Sequence, residues 1–194
     1  MSLVRAFIAA ELPGSLQDSI ETATASLQAG LGLDLVRWVP TRNIHLTLKF
    51  LGDVSPSNLD LIKNVLAVEA ARHEPFEMRV EGIGAFPNAR RPRVLWIGLK
   101  GPPTLASLQH ELDSATTRLG YESEERGYAP HLTIGRVRPT AGVSAQQRIG
   151  EELAHAHVGY LGMLHVVAVH LFKSDLGSTG PAYTKLLTAP FGTP

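Results

Sequence analysis

Ile44-His45-Leu46-Thr47-Leu48-Lys49-Phe50-Leu51 is the stretch of sequence that decides the fold, because its first part recurs 86 residues later as His131-Leu132-Thr133-Ile134. In both copies polar and aliphatic residues alternate, which is the period-two pattern of a β-strand with one buried face. Each histidine therefore shares a strand face with its threonine, and the aliphatic residues take the other face. Two matching strands predict two similar halves whose polar faces meet at one cleft.

The segments on either side of these tetrads alternate between strand and helix patterns. Strands are predicted over residues 3–10, 35–39, 44–51, 76–80, 94–99, 131–137, 164–172 and 183–187. Helices are predicted over residues 13–28, 57–70, 103–120 and 144–155, with glycines at 30 and 32 ending the first. A loop is expected over residues 82–92. The pattern predicts an α+β fold with mainly antiparallel sheets.

Composition limits the class of protein. The 194 residues, 44% of them hydrophobic, suffice for a single bilobal domain over residues 1–194. The formal net charge is +0, which argues against a protein that grips long duplex nucleic acid. The absence of cysteine excludes thiolate metal sites and a cysteine nucleophile. The apolar run at residues 6–10 is short, and no apolar stretch approaches the roughly 20 residues that a membrane span needs, so a cytoplasmic protein that does not enter a membrane is expected.

Two imidazoles and two hydroxyls around one cleft suit the hydrolysis of a phosphodiester. One group must take a proton from water, and another must protonate the oxygen that leaves on the opposite side of phosphorus. Histidine, with an ordinary pKa of about 6.5, fills either role, so the residues alone leave open whether His45 or His131 is the acid. The hydroxyls of Thr47 and Thr133 can donate to the non-bridging oxygens. The sequence contains no His-Glu-x-x-His motif, no aspartates clustered at two-metal spacing and no Walker-type glycine loop, so a reaction without metal or cofactor is expected.

Over nearly its whole length the chain resembles the 2H phosphoesterase superfamily, which is named for two His-x-Thr tetrads. Within that superfamily it is most similar to the RNA 2′,3′-cyclic phosphodiesterases of bacteria and archaea, also called 2′-5′ RNA ligases. The similarity runs through residues 5–9, 38–52, 92–98, 130–136 and 172–174 and through Tyr183.

The resemblance implies a bilobal fold with outer helices, two mainly antiparallel sheets and pseudo-twofold symmetry around a central cleft. It implies an enzyme that opens the 2′,3′-cyclic phosphate of an RNA end or a nucleoside, with the 3′ oxygen leaving and a 2′-phosphate remaining. By resemblance His45 is the proton donor and His131 the proton acceptor. A monomer is expected, because the cleft would be complete within one chain.

Further residues are candidates for binding the substrate. Arg136 resembles an arginine that the family keeps near the phosphate, although strand alternation turns it away from Thr133 unless the strand bulges near Gly135. Lys49 has the same parity as His45 and is expected at the cleft rim. Phe50 and Tyr128 are candidates for stacking on a base, whereas Trp96 is expected in the core. Ser174 and Tyr183 are expected in the cleft from the resemblance alone.

Three alternatives to this hydrolysis remain. The same histidines run in reverse would join RNA halves by a 2′-5′ bond. A protein of this fold could also bind nucleotides or RNA ends without turnover, although intact histidine and threonine in both tetrads argue against a dead site. The third alternative is an esterase for small cyclic phosphate metabolites.

Overall fold

In the computed structural model, which describes residues 3–124, 127–177 and 180–192, nine strands form one antiparallel sheet and four helices cover one face of it. The strands are β1 (Val4–Glu11), β2 (Val36–Trp38), β3 (His45–Val54), β4 (Phe76–Phe86), β5 (Val94–Lys100), β6 (His131–Val137), β7 (Tyr160–Val166), β8 (Ala168–Gly177) and β9 (Gly180–Pro190). The helices are α1 (Gly14–Leu35), α2 (Pro56–Ala70), α3 (Pro103–Thr117) and α4 (Val143–His155).

The sheet consists of two halves that meet at the two tetrad strands. Its order is β7-β4-β5-β6-β3-β1-β8-β9, with the short β2 pairing with β6 as well. β3 and β6 are joined through a single residue pair, Leu46 opposite Leu132. The α+β class is therefore confirmed. The resemblance implies two sheets, but this one residue pair joins them into a single sheet.

The hydrophobic core lies between the helices and one face of the sheet. Every third or fourth residue of α1 is buried, and apart from Thr24 these residues are apolar, including Leu16 and Ile20, so the helix packs one face on the sheet. Leu46 and Leu132 belong to the same core cluster. The opposite face of the sheet, here called the open face, carries the polar residues of the tetrads.

Three predicted boundaries differ from the structure. Helix α1 does not end at Gly30 but continues to Leu35 across a kink at Gly32, where φ is 67°. Strand β4 extends to Phe86 through the predicted loop, because a register irregularity between Val80 and Ile83 lets the chain rejoin β5. The predicted strand 164–172 is two strands, β7 and β8, which belong to opposite halves of the sheet.

Within the described residues, none of the helices is long and apolar enough to cross a membrane.

Replacing Leu132 by alanine is expected to lower the free energy of unfolding by about 2–5 kcal/mol, because the side chain is fully buried where the halves meet. Urea denaturation monitored by circular dichroism measures the change. Leu61→Ala on α2, where the side chain is 51% exposed, is the matched control and should cost far less. Equal losses in the two variants would contradict a core role for the junction.

Candidate active site

The two tetrads lie side by side on the open face at the junction of the two halves. His45, Thr47, His131 and Thr133 are half-buried, and the leucine between each pair is fully buried. Because Leu46 is opposite Leu132, continuing the antiparallel register sets each histidine opposite the threonine of the other tetrad. The two histidines are then diagonal neighbours, which in antiparallel sheets lie about 7–8 Å apart. That spacing leaves room for a phosphate group between the imidazoles.

Both imidazoles are held by a backbone carbonyl two residues earlier in the chain. His45 Nδ1 lies 2.8 Å from the Asn43 carbonyl oxygen, and His131 Nδ1 lies 2.8 Å from that of Ala129. A carbonyl only accepts hydrogen bonds, so each Nδ1 carries the proton. Because Nδ1 is engaged, Nε2 is the ring atom through which each histidine can transfer a proton.

His45 is embedded in an aromatic cluster on the first half of the sheet. Its ring stacks on Phe7 at 4.7 Å between centroids, and Tyr183 approaches edge-on at 5.4 Å. Burial lowers the pKa of His45 to about 4, although the Asn43 carbonyl acts in the opposite direction. The nearby charges of Arg136 and His131 lower the pKa further. His45 is therefore neutral in the unliganded protein near pH 7.

His131 also contacts aromatic rings, but on the second half of the sheet. Phe86 lies edge-on to it at 4.9 Å, and Trp96 lies 5.4 Å from Phe86. The expectation that Trp96 is in the core is wrong, because Trp96 pairs with Thr133 across β5 and β6 and so shares the open face. A Cβ at Gly84 would lie 2.4 Å from the indole, so only glycine there lets the ring rest on β4.

A β-bulge in β6 brings Arg136 to the open face. Thr133 pairs with Trp96 and Gly135 with Leu95, so Ile134 is the extra residue. One extra residue reverses the alternation, and Arg136 emerges on the same side as Thr133. Its charge lowers the pKa of both His45 and Tyr183, which places the guanidinium close to the site. A phosphate contact by Arg136 stays a prediction.

The same kind of bulge in β3 turns Lys49 away from the open face. Thr47 pairs with Ala9 and Lys49 with Ile8, which leaves Leu48 as the extra residue. Lys49 is only 5% exposed and forms an ion pair with Asp113 of α3 at 2.5 Å. The predicted place of Lys49 at the cleft rim is therefore wrong. The bulge instead exposes Phe50 on the open face, where it lies 6.2 Å from Phe7.

The buried Asp113 carboxylate anchors the loop that follows α3. It accepts hydrogen bonds from Ser123 Oγ at 2.7 Å and from the Glu124 amide at 3.1 Å, and Lys49 also donates to the Glu122 carbonyl. Burial would raise the pKa of Asp113, but the bonds from Lys49, Ser123 and Glu124 outweigh it and hold the pKa below its ordinary value. The carboxylate thus stays charged inside the protein.

Tyr128, further along the chain, contacts the backbone of the first tetrad and does not face the open cleft. Its ring packs on the core cluster, and its hydroxyl donates to the Thr47 carbonyl at 3.0 Å. Burial raises its pKa, so the phenol stays protonated and keeps this bond. The predicted stacking role of Tyr128 is not supported, because its ring and hydroxyl are already engaged. The following residue, Ala129, supplies the carbonyl that holds His131.

Tyr183 and Ser174 are paired on β8 and β9, and Tyr183 packs edge-on against Phe7 at 5.0 Å. Burial raises the pKa of Tyr183, and the positive charges of Arg136, Arg37 and Arg5 oppose that rise. Sequence reasoning did not single out Arg5 and Arg37, whose charges act on Tyr183. Arg5 shares the period-two parity of Phe7 on β1, a signal that could have found it. Arg37 is identified only by its pairing with Arg136.

Comparison with known proteins relates the chain to phosphoesterases. Residues 11–96 match the family model described as LigT like Phosphoesterase. The chain is 37% identical to the RNA 2′,3′-cyclic phosphodiesterase of Methanothermobacter thermautotrophicus over 94% of this chain and 96% of the relative. It is 30% identical to the protein of the same name from Aquifex aeolicus over 95% of each.

Solved structures show the same fold at lower identity. A protein from Thermus thermophilus superposes with a TM-score of 0.79 at 24% identity, covering 96% of this chain and 97% of its own. Escherichia coli LigT complexed with 3′-AMP superposes with a TM-score of 0.78 at 24% identity, covering 98% of this chain and 99% of its own.

Replacing Asp113 by alanine is expected to lower the free energy of unfolding by about 3–5 kcal/mol, because it leaves the Lys49 ammonium buried without its counter-charge. The double variant Lys49→Met, Asp113→Leu should recover much of that loss. Urea denaturation of the single variants Asp113→Ala, Asp113→Leu and Lys49→Met and of the double variant measures the coupling. If the loss of unfolding free energy in the double variant equalled the sum of the losses in Lys49→Met and Asp113→Leu, the pairing would be contradicted.

The same pair predicts how stability depends on pH. The pKa of Asp113 is lower in the folded chain than its ordinary 3.8, so its stabilisation is present above that pH. The contribution is lost as the pH falls through the lowered folded value. Relative to the double variant, which lacks this carboxylate, the wild type should therefore lose stability below about pH 4, as measured by urea denaturation across that pH range.

Proposed function

The chain belongs to the LigT-like phosphoesterases, and from this membership and the paired tetrads we propose that it hydrolyses the 2′,3′-cyclic phosphate of an RNA end to a 2′-phosphate. The observation that carries the proposal is the register at the junction, which sets two oriented imidazoles diagonally across one opening. Residues 1–194 act as one bilobal catalytic unit with one tetrad in each half. A monomer in the cytoplasm acting on an RNA terminus or a nucleoside 2′,3′-cyclic phosphate fits this arrangement.

The mechanism transfers two protons across the phosphorus atom. His131 Nε2 takes a proton from water as the water oxygen bonds to phosphorus. The bond from phosphorus to the 3′ oxygen breaks, and His45 Nε2 gives its proton to that oxygen. The phosphate then remains on the 2′ oxygen. The Thr47 and Thr133 hydroxyls, together with the charge of Arg136, stabilise the non-bridging oxygens, where negative charge is concentrated in the transition state.

A donor role for His45 requires the substrate to raise its pKa. The unliganded site holds that pKa at about 4 through burial and nearby positive charge. An anionic phosphate against the ring supplies the missing counter-charge and favours the imidazolium. Protonation of His45 is thus coupled to binding, and the assignment of donor and acceptor can be tested by measuring that coupling.

Replacing His45 or His131 by alanine is expected to lower turnover by about 10²–10⁴-fold, because each removes one partner of the proton transfer. The assay uses adenosine 2′,3′-cyclic phosphate with EDTA, and phosphorus NMR identifies the product isomer. His155→Ala, an exposed histidine of α4 outside the tetrads, is the control and should retain wild-type turnover. Near-normal turnover of His45→Ala, or loss of wild-type activity in EDTA, would overturn the two-histidine mechanism.

The coupling predicts that sulfate, a dianion across the titrated range, raises the pKa of His45 from about 4 by roughly one to three units. NMR titration of the ring carbon and nitrogen shifts of His45, with and without saturating sulfate, measures the change. Arg136→Gln should raise the pKa of His45 without any ligand, because it removes a nearby cation. A value that stays near 4 with sulfate bound would reverse the roles of the two histidines.

A further inference from the structure

A cavity of about 490 Å³ opens beside His131 on the open face of the second half of the sheet. Its near side is formed by Pro130 and by Gly98, which is paired directly with His131 across β5 and β6. Its far side is formed by Tyr160 on β7, and Trp96 also lines it. The cavity therefore adjoins the candidate active site at Pro130 and Gly98 and extends from there towards β7.

We propose that this cavity, here called the Tyr160 pocket, binds the nucleotide that precedes the cyclic phosphate in an RNA chain. The inference rests on the proposed function and names the part of the substrate that the tetrads do not reach. From β6 to β7 the sheet covers three strand spacings, about 14 Å. This distance is longer than the nucleotide that carries the cyclic phosphate, so the nucleotide on its 5′ side can also lie along it.

The two halves of the sheet differ at this position, although their tetrads match. On the first half the residue opposite His45 is Glu11, whose carboxylate binds Lys185 at 2.5 Å and lies 3.5 Å from His170 Nε2. Those side chains occupy the space beside His45. On the second half the equivalent residue is Gly98, which places no side chain beside His131 and lets the Glu81 carbonyl approach the strand, since a Cβ there would lie 2.6 Å from that oxygen. The two tetrads are similar, but it is the side next to His131 that adjoins the cavity into which an RNA chain can extend.

The charge of the pocket suits a phosphodiester. Glu81 accepts from Lys100 at 2.7 Å and from Arg79 at 3.0 Å, so two cations face one carboxylate. The hydrogen bonds from Lys100 and Arg79 lower the pKa of Glu81, which keeps the carboxylate charged and leaves one surplus positive charge. An RNA chain passing the pocket brings the negative charge that balances this surplus.

The aromatic residues of the pocket suit a base. Tyr160 is 53% exposed, and the Arg79 guanidinium covers one face of its ring at 4.6 Å. That contact holds the exposed ring in place, and a base stacks on its other face. Stacking of bases on aromatic side chains is the usual way in which proteins bind single-stranded RNA without reading its sequence.

Adenosine 2′,3′-cyclic phosphate and the dinucleotide ApA ending in a 2′,3′-cyclic phosphate separate the pocket from the tetrads. Wild-type kcat/KM should be about tenfold higher for the dinucleotide, as expected for one stacked base. Tyr160→Ala should remove that advantage and leave the mononucleotide value unchanged. Gly159→Trp should do the same, because Gly159 lines the pocket and a Cβ there meets no atom within 4 Å.

Gly142→Trp is the matched control, since Gly142 also has open space around its Cβ but precedes α4 and does not line the pocket. This variant should keep the full dinucleotide advantage. Equal wild-type kcat/KM for the two substrates, or a dinucleotide advantage that survives both pocket variants, would overturn the pocket assignment alone. A wild-type protein that cleaves neither substrate would instead overturn the proposed function.

Discussion

The contact between Leu46 and Leu132 is the constraint on which the rest of the site depends. Each leucine is buried between a histidine and a threonine of its own strand, so pairing the two leucines fixes where all four polar side chains emerge. The hydrophobic effect favours this register, because a slip of either strand by one residue would expose its leucine and bury its imidazole. The polar site is thus specified by the apolar face of the same two strands.

Both halves have a β-bulge directly after the tetrad threonine, but the two bulges position different side chains. In each tetrad strand the aliphatic residue after the threonine is an extra residue, and the next two side chains exchange faces as a result. The first half sends Lys49 inward to Asp113 and Phe50 outward. The second half has glycine at the inward position and sends Arg136 outward. The same backbone irregularity therefore places the apolar ring of Phe50 on one side of the opening and the cation of Arg136 on the other.

Electrostatics makes the two histidines unequal although their carbonyl partners are equivalent. Stacking on Phe7 removes water from His45, and the charge of Arg136 further disfavours its imidazolium. These surroundings favour the neutral form of His45, so the donor role proposed for it depends on an anionic phosphate binding beside the ring. The proposed chemistry follows from surroundings that belong to different parts of the chain, since Phe7, Arg136 and Tyr183 come from β1, β6 and β9.

The sequence by itself determined the two tetrads, their strand periodicity and the α+β class, because alternation with period two is a local property of each segment. It also indicated the histidines and threonines as the candidate chemical groups. The tertiary structure alone decided the positions of Lys49, Trp96 and Tyr128. Period-two alternation holds only until a bulge, and whether an aromatic or charged side chain is buried depends on the element packed against it. The asymmetry between Glu11 and Gly98 likewise emerges only once strands distant in sequence are paired.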